Sequence, residues 1–144
     1  MNKAARLLVL AATVPLAACT AMTHITTVQS NAQVTIATSK ESGVPRSESF
    51  RTTSFGNYEF KAEAPGKAPF YGILPLKFNG GYLALDILFF APATFFNLRE
   101  VYPYYEFDID KKHVRYKKYA DEEWSIFIPL KADEAQGRDA LGKR

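Results

Sequence analysis

The sequence predicts an α+β fold: a small antiparallel β-sheet or sandwich carrying an apolar helical hairpin, preceded by a signal peptide. Three observations carry that expectation. Apolar and polar residues alternate around residues 33–38, 58–62 and 105–117, the pattern of half-buried strands. The stretch Gly80 to Asn97 is almost wholly apolar, broken only by Asp86 and Pro92. A basic start runs straight into a short apolar segment over residues 1–18.

Composition narrows the function classes. A chain of 144 residues is one domain's worth. Eleven Phe and eight Tyr give ample aromatic bulk for a core. Lys and Arg number 18 against 15 Asp and Glu; without Lys3 and Arg6 of the leader the basic count falls to 16. A near-neutral domain has no electrostatic footprint for nucleic acid, so no nucleic-acid partner is expected.

The front of the chain has a basic region (Lys3, Arg6), an apolar run from Leu7 to Val14, and small residues before Cys19. This is the plan of a secretory signal. The run is shorter than the ~20 residues a membrane span needs. Leu16-Ala17-Ala18-Cys19 resembles the lipobox of bacterial lipoproteins. The resemblance implies cleavage between Ala18 and Cys19, with diacylglyceryl and fatty acyl groups carried covalently on Cys19. Two acyl chains give stable attachment to a bilayer. Cys19 is the sole cysteine, so no internal disulfide is available and a modification role accounts for it. Thr20, rather than Asp, follows it. By the family's sorting tendency this implies the outer membrane. The expected organisation is a signal peptide over 1–18, a lipidated flexible tether over 19–32, an α+β domain over 33–130 and a polar C-terminal tail over 131–144. The tether is rich in Thr and small polar residues, and His24 within it is expected to be simply solvated.

Gln33 to Thr38 alternates Val34 and Ile36 with polar residues. Gly43 and Pro45 mark a loop after it, and Ser49 to Ser54 reads as a short strand. Gly56-Asn57 marks a turn, after which Tyr58, Phe60 and Ala62 face one way and Glu59, Lys61 and Glu63 the other. Pro65-Gly66 ends that strand. This strand, loop, strand order with its G-x-Y-x-F-x-A-x-x-P-G ending is similar to the PEGA-type β modules of bacterial envelope proteins.

Tyr105, Phe107 and Ile109 alternate with Glu106, Asp108 and Asp110, and Val114 and Tyr116 with His113, Arg115 and Lys117. A hairpin closed by a two-residue Lys111-Lys112 loop would pair Asp110 with His113, Asp108 with Arg115 and Glu106 with Lys117. On the opposite face Ile109 would meet Val114, and Phe107 would meet Tyr116. Glu123 to Leu130 reads as one more strand. Residues 131–144 are polar and are expected to fray.

As a membrane span, the stretch 79–98 fails on energy. Its eight strongly apolar residues contribute roughly −4 kcal/mol together. Asp86 near the centre costs about 2.5–3.5 kcal/mol, and Gly80, Gly81, Pro92, Thr94 and Asn97 oppose insertion further. Two short helices fit better. Asn79 caps the first, Ala91 is pushed out of helical angles by Pro92, and Pro92 suits the first turn of the second. The hairpin packs on the sheet, or Tyr82, Phe89, Phe90, Phe95 and Phe96 form an apolar contact surface. Asp86 needs a partner if buried, and Arg99 is the nearest cation, which predicts a structural ion pair. The runs Asn79 to Asp86, Pro92 to Leu98 and Val101 to Asp108 are similar to a group of small proteobacterial lipoproteins with a G-G-x-x-x-x-x-D apolar segment. That resemblance implies no particular activity.

The chain has no G-x-S-x-G, no second Cys, no H-E-x-x-H and no phosphate-cradling glycine loop. Asp108, Asp110 and His113 could be read as metal ligands, but the hairpin explains them as ion-pair partners. A hydrolase using Asp86 or the Asp108/His113 pair is the third reading, which a shallow, fully salt-bridged surface around those residues would dismiss. No metal, and no cofactor beyond the lipid, is expected. Lys111, Lys112, Arg115, Lys117 and Lys118 form a basic patch, either a solvated strand face or a contact for anionic headgroups. The expected function is that of a non-enzymatic, periplasm-facing outer-membrane lipoprotein with a binding or structural role, its partners the membrane and an envelope protein. The alternative is a membrane-perturbing, exclusion or toxin-related lipoprotein.

Overall fold

The computed structural model describes residues 20–51, 56–78, 80 and 99–142. In chain order the strands are β1 (Thr20–Thr27), β2 (Gln33–Ile36), β3 (Arg46–Arg51), β4 (Glu59–Glu63), β5 (Phe70–Ile73), β6 (Leu76–Phe78), β7 (Arg99–Val101), β8 (Tyr104–Asp108), β9 (His113–Lys117) and β10 (Ser125–Phe127). A helix, α1 (Lys131–Leu141), follows. The strands form a five-stranded sheet in the order β10-β9-β8-β1-β3, a three-stranded sheet β2-β4-β5, and the β6-β7 pair.

The two larger sheets meet across one core. Inward positions of β1, β8 and β9 supply Ile25, Tyr105, Phe107 and Val114; those of β2, β4 and β5 supply Val34, Ile36, Phe60, Ala62 and Phe70. All are essentially inaccessible to solvent. The Phe60 and Phe107 rings meet edge-on with centroids 4.9 Å apart, tying one sheet to the other, and Phe60 meets Phe70 at 5.1 Å. Such edge-to-face pairs suit the ring quadrupole. The Tyr105 hydroxyl is buried but satisfied: it donates to Pro75 O at 2.6 Å and accepts from Tyr102 N at 2.9 Å. Burial pushes its phenol well above the ordinary range.

The expected β-rich domain is present, with four corrections. Residues 20–27 of the expected flexible tether are β1, an interior strand of the largest sheet. Its apolar content is thin, but alternate residues Thr23 and Ile25 are fully buried and both its edges are hydrogen-bonded, to β3 and to β8. The sheet is mixed rather than antiparallel, because β1 runs parallel to β8.

The third correction concerns the β8–β9 hairpin. Its pairs are Tyr104–Lys117, Tyr105–Tyr116, Glu106–Arg115, Phe107–Val114 and Asp108–His113. The register is thus shifted by two residues, and the loop is the four residues Ile109–Lys112. A two-residue hairpin loop needs positive φ at its first central position, and in type I′ at both; of Lys111 and Lys112 only Lys112 adopts it, at 51°. A shift of two keeps every side chain on its expected face, so the apolar side was read correctly while the pairs were not. Asp108 stabilises the longer loop by accepting from Lys111 N at 3.1 Å.

The fourth correction is the C-terminal segment, which is helical over Lys131–Leu141 and packs on β4 and β5. Asp133 Oδ2 accepts the backbone N–H of Leu130 at 3.0 Å, closing the helix start. Asp133 and Glu134 in the first turn and Arg138 in the last complement the helix dipole. Leu141 is fully buried. The expected apolar hairpin over 79–98 lies outside the described residues, apart from exposed Gly80.

Candidate functional site

The outer face of the five-stranded sheet carries one continuous row of side chains, one from each of four strands and one from the residue preceding β10. Register places Ser47 of β3 beside His24 of β1, His24 beside Tyr104 of β8, and Tyr104 beside Lys117 of β9. Trp124, just before β10, completes it. Ser47 Oγ lies 2.7 Å from His24 Nδ1, and the tautomer decides which donates. The His24 ring stacks on Tyr104 with centroids 5.2 Å apart and planes 22° from parallel. Lys117 Nζ lies 5.5 Å from the Tyr104 centroid and 4.8 Å from that of Trp124. It also donates to Ala120 O at 2.5 Å. A shallow cavity of about 230 Å³ opens over the row, lined by His24, Thr26, Tyr104, Lys117, Ala120 and Trp124.

The row presents a hydroxyl, an imidazole, two aromatic rings and an ammonium side by side. Ser47 and His24 are both exposed, and they are hydrogen-bonded to each other. The ammonium of Lys117 is engaged by two ring faces and a carbonyl, which latches the turn over residues 118–124 to the sheet. His24 is exposed, as expected, but it lies in strand β1 and not in a tether, with its ring stacked on Tyr104.

The opposite end of the sheet gathers Gln29, Lys67, Asp108, Asp110 and Lys111. Gln29 Nε2 donates to Asp108 Oδ1 at 3.0 Å and Asp110 Oδ2 at 3.3 Å, while its Oε1 accepts from Ile109 N at 3.0 Å. Lys67 pairs with Asp110, and Lys111 lies 4.0 Å from Asp108. Asp108 is 5% exposed. Burial alone would raise its pKa. The Lys111 amide, the Gln29 side chain and the charges of His113 and Lys111 outweigh burial and hold it below the usual carboxylate range. This is a clamp on the hairpin loop. Among the described residues no three His, Cys, Asp or Glu side chains converge as metal ligands.

The basic patch is largely engaged: Lys112 Nζ donates to Ala68 O and Pro69 O, Arg115 pairs with Glu106, and Lys117 lies in the aromatic row. Lys111 and Lys118 remain exposed. Arg99 is the exposed first residue of β7. Its expected partner Asp86 lies outside the described residues, as do Ala18, Cys19 and the contact candidates Tyr82, Phe89, Phe90, Phe95 and Phe96.

One surface was missed in the sequence. Ile126, Ile128 and Leu130 are 60%, 67% and 69% exposed, an apolar row along and just beyond the edge strand β10. Phe127 is half-buried and Pro129 fully buried, turned toward the core. Alternation reveals which residues share a face, but not which face is outward. Among the described residues the outer edge of β10 is unpaired, and an edge with an apolar row is a template for association.

No helix among the described residues is long and apolar enough to cross a membrane. No family model, curated protein or solved structure matches the chain.

Proposed function

We propose that the chain is a lipid-anchored lipoprotein of the cell envelope, held at the periplasmic face of the outer membrane, and that it binds or supports another envelope component without catalysing a reaction. One observation carries the reading: the sole cysteine, Cys19, closes a basic–apolar leader with Leu16-Ala17-Ala18 before it. The exposed row Ile126, Ile128 and Leu130 supports the binding role. In this reading the apolar stretch 79–98 is a helical hairpin that adds contact surface or core.

Mass spectrometry of the N-terminal peptide from purified envelopes tests the anchor. The expected peptide begins at Cys19 and carries diacylglyceryl and acyl groups, and globomycin makes the uncleaved precursor accumulate. A free thiol at Cys19, or cleavage at another bond, overturns the reading.

A further inference from the structure

Strand β1 begins at Thr20, the residue directly after Cys19. Given the Cys19 anchor proposed above, on which this rests, the link between lipid and sheet is a single residue. That residue spans at most ~3.6 Å, whereas a flexible tether of 13 residues would reach ~20 Å. The end of β1 therefore has no room to stand away from the bilayer.

The residues at that end fit a lipid surface. The last three rungs of the β1–β3 ladder pair Thr20 with Arg51, Ala21 with Phe50 and Met22 with Ser49. They lie beyond the level of Tyr104 and Lys117, whose rung meets β1 at His24. Among these six residues Arg51 is the only charge, and it is exposed. The Met22 side chain is 60% exposed. Glu48, one rung further in, is taken by Arg46 at 3.0 Å. An apolar side chain beside a guanidinium, with no free carboxylate among the six, suits the boundary between headgroup phosphates and acyl chains. The β9–β10 turn at this same end carries exposed Lys118, Asp121, Glu122 and Glu123, set two to three strands away from β1, and the other end of the sheet carries Lys67, Asp108, Asp110 and Lys111.

We infer that the Thr20–Arg51 end of the five-stranded sheet sits directly on an anionic phospholipid surface, with Met22 at the headgroup boundary and Arg51 on phosphate, and that β1 rises away from the bilayer. The eight residues of β1 at ~3.3 Å each place the Asp110–Lys111 loop ~25 Å above the surface.

The test uses the processed, lipidated protein in vesicles of phosphatidylethanolamine and phosphatidylglycerol containing headgroup-nitroxide lipid. Because acylation consumes the Cys19 thiol, Met22→Cys and Lys111→Cys each create one labelling site for a bimane fluorophore, both at exposed side chains. The label at 22 is expected to be quenched several-fold more than the label at 111. Equal quenching in membrane-bound protein means that the domain lies flat or tumbles, which overturns this orientation while the anchor stands. Thiol labelling of Cys19 itself in the unsubstituted protein overturns the anchor, and this inference with it.

Discussion

Gly137 of α1 lies directly on the backbone of Gly72 in β5. A Cβ built at Gly137 would come within 2.8 Å of Gly72 N and 2.9 Å of Gly72 O, and one at Gly72 would meet Pro129 Cγ at 2.7 Å and the Phe60 ring at 2.8 Å. The helix reaches the sheet only because both positions lack a side chain. In an open helix Gly→Ala gains about 1 kcal/mol. Here the collision is with backbone, which cannot swing aside, and overpacking costs about 1–3 kcal/mol. Gly137→Ala is therefore expected to destabilise, and Gly137→Val more so, as a lowered urea midpoint at unchanged m-value.

The Phe60–Phe107 contact joins the two sheets. Phe60→Ala is expected to cost about 3–5 kcal/mol. A double-mutant cycle of Phe60→Leu with Phe107→Leu should return a coupling of about 0.5–1.5 kcal/mol. Additive effects would show that the sheets are held by other pairs.

Asp108 makes stability depend on acid. Its folded-state pKa lies below that of the unfolded chain, which is about 3.9. The contribution is therefore fully present above that value and is lost as pH falls through the folded pKa. Asp108→Asn should be less stable than the parent at neutral pH, and the gap should narrow below about pH 4. Urea melts across that range read the difference. Gln29→Ala, which removes one donor to Asp108 and the acceptor for Ile109 N, should weaken the same acid-sensitive component.

Trp124 is the only tryptophan and reports on the Lys117 latch. Lys117→Met is expected to loosen the turn over 118–124, seen as red-shifted emission and faster acrylamide quenching, at about 0.5–1 kcal/mol in stability. Lys117→Arg should keep the emission of the parent.

The apolar row on the β10 edge predicts a separable phenotype. Ile126→Asp with Ile128→Asp alters exposed side chains and should change stability by about 0.5 kcal/mol or less per site. Capture of envelope proteins from detergent extracts should fall. Undiminished capture would place the partner surface elsewhere.

What the sequence disclosed follows from range. Val34, Ile36, Phe60, Ala62, Phe107 and Val114 face inward as their alternation requires, because period two is a local property. The hairpin register was not local. It depends on Gln29, 80 residues away from Ile109, holding the loop open. Strand β1 was hidden because Thr-rich strands and Thr-rich linkers share a composition, and only pairing with β3 and β8 separates them. Helix α1 was hidden because Gly137 and Leu141 are its only buried residues, too few to print an apolar period. Of the candidate site, the charges and aromatics of β8 and β9 were visible, but their alignment with His24 and Ser47 waited on the place of β1 in the sheet.

Strand β1 lies between β3 and β8, and under the proposed Cys19 anchor its N-terminal end is where tension from the membrane would enter the domain. Force applied there runs along the strand, so the hydrogen bonds on both flanks are loaded together in shear instead of being peeled one at a time. Anchored in that way, the domain would resist being torn from its mooring.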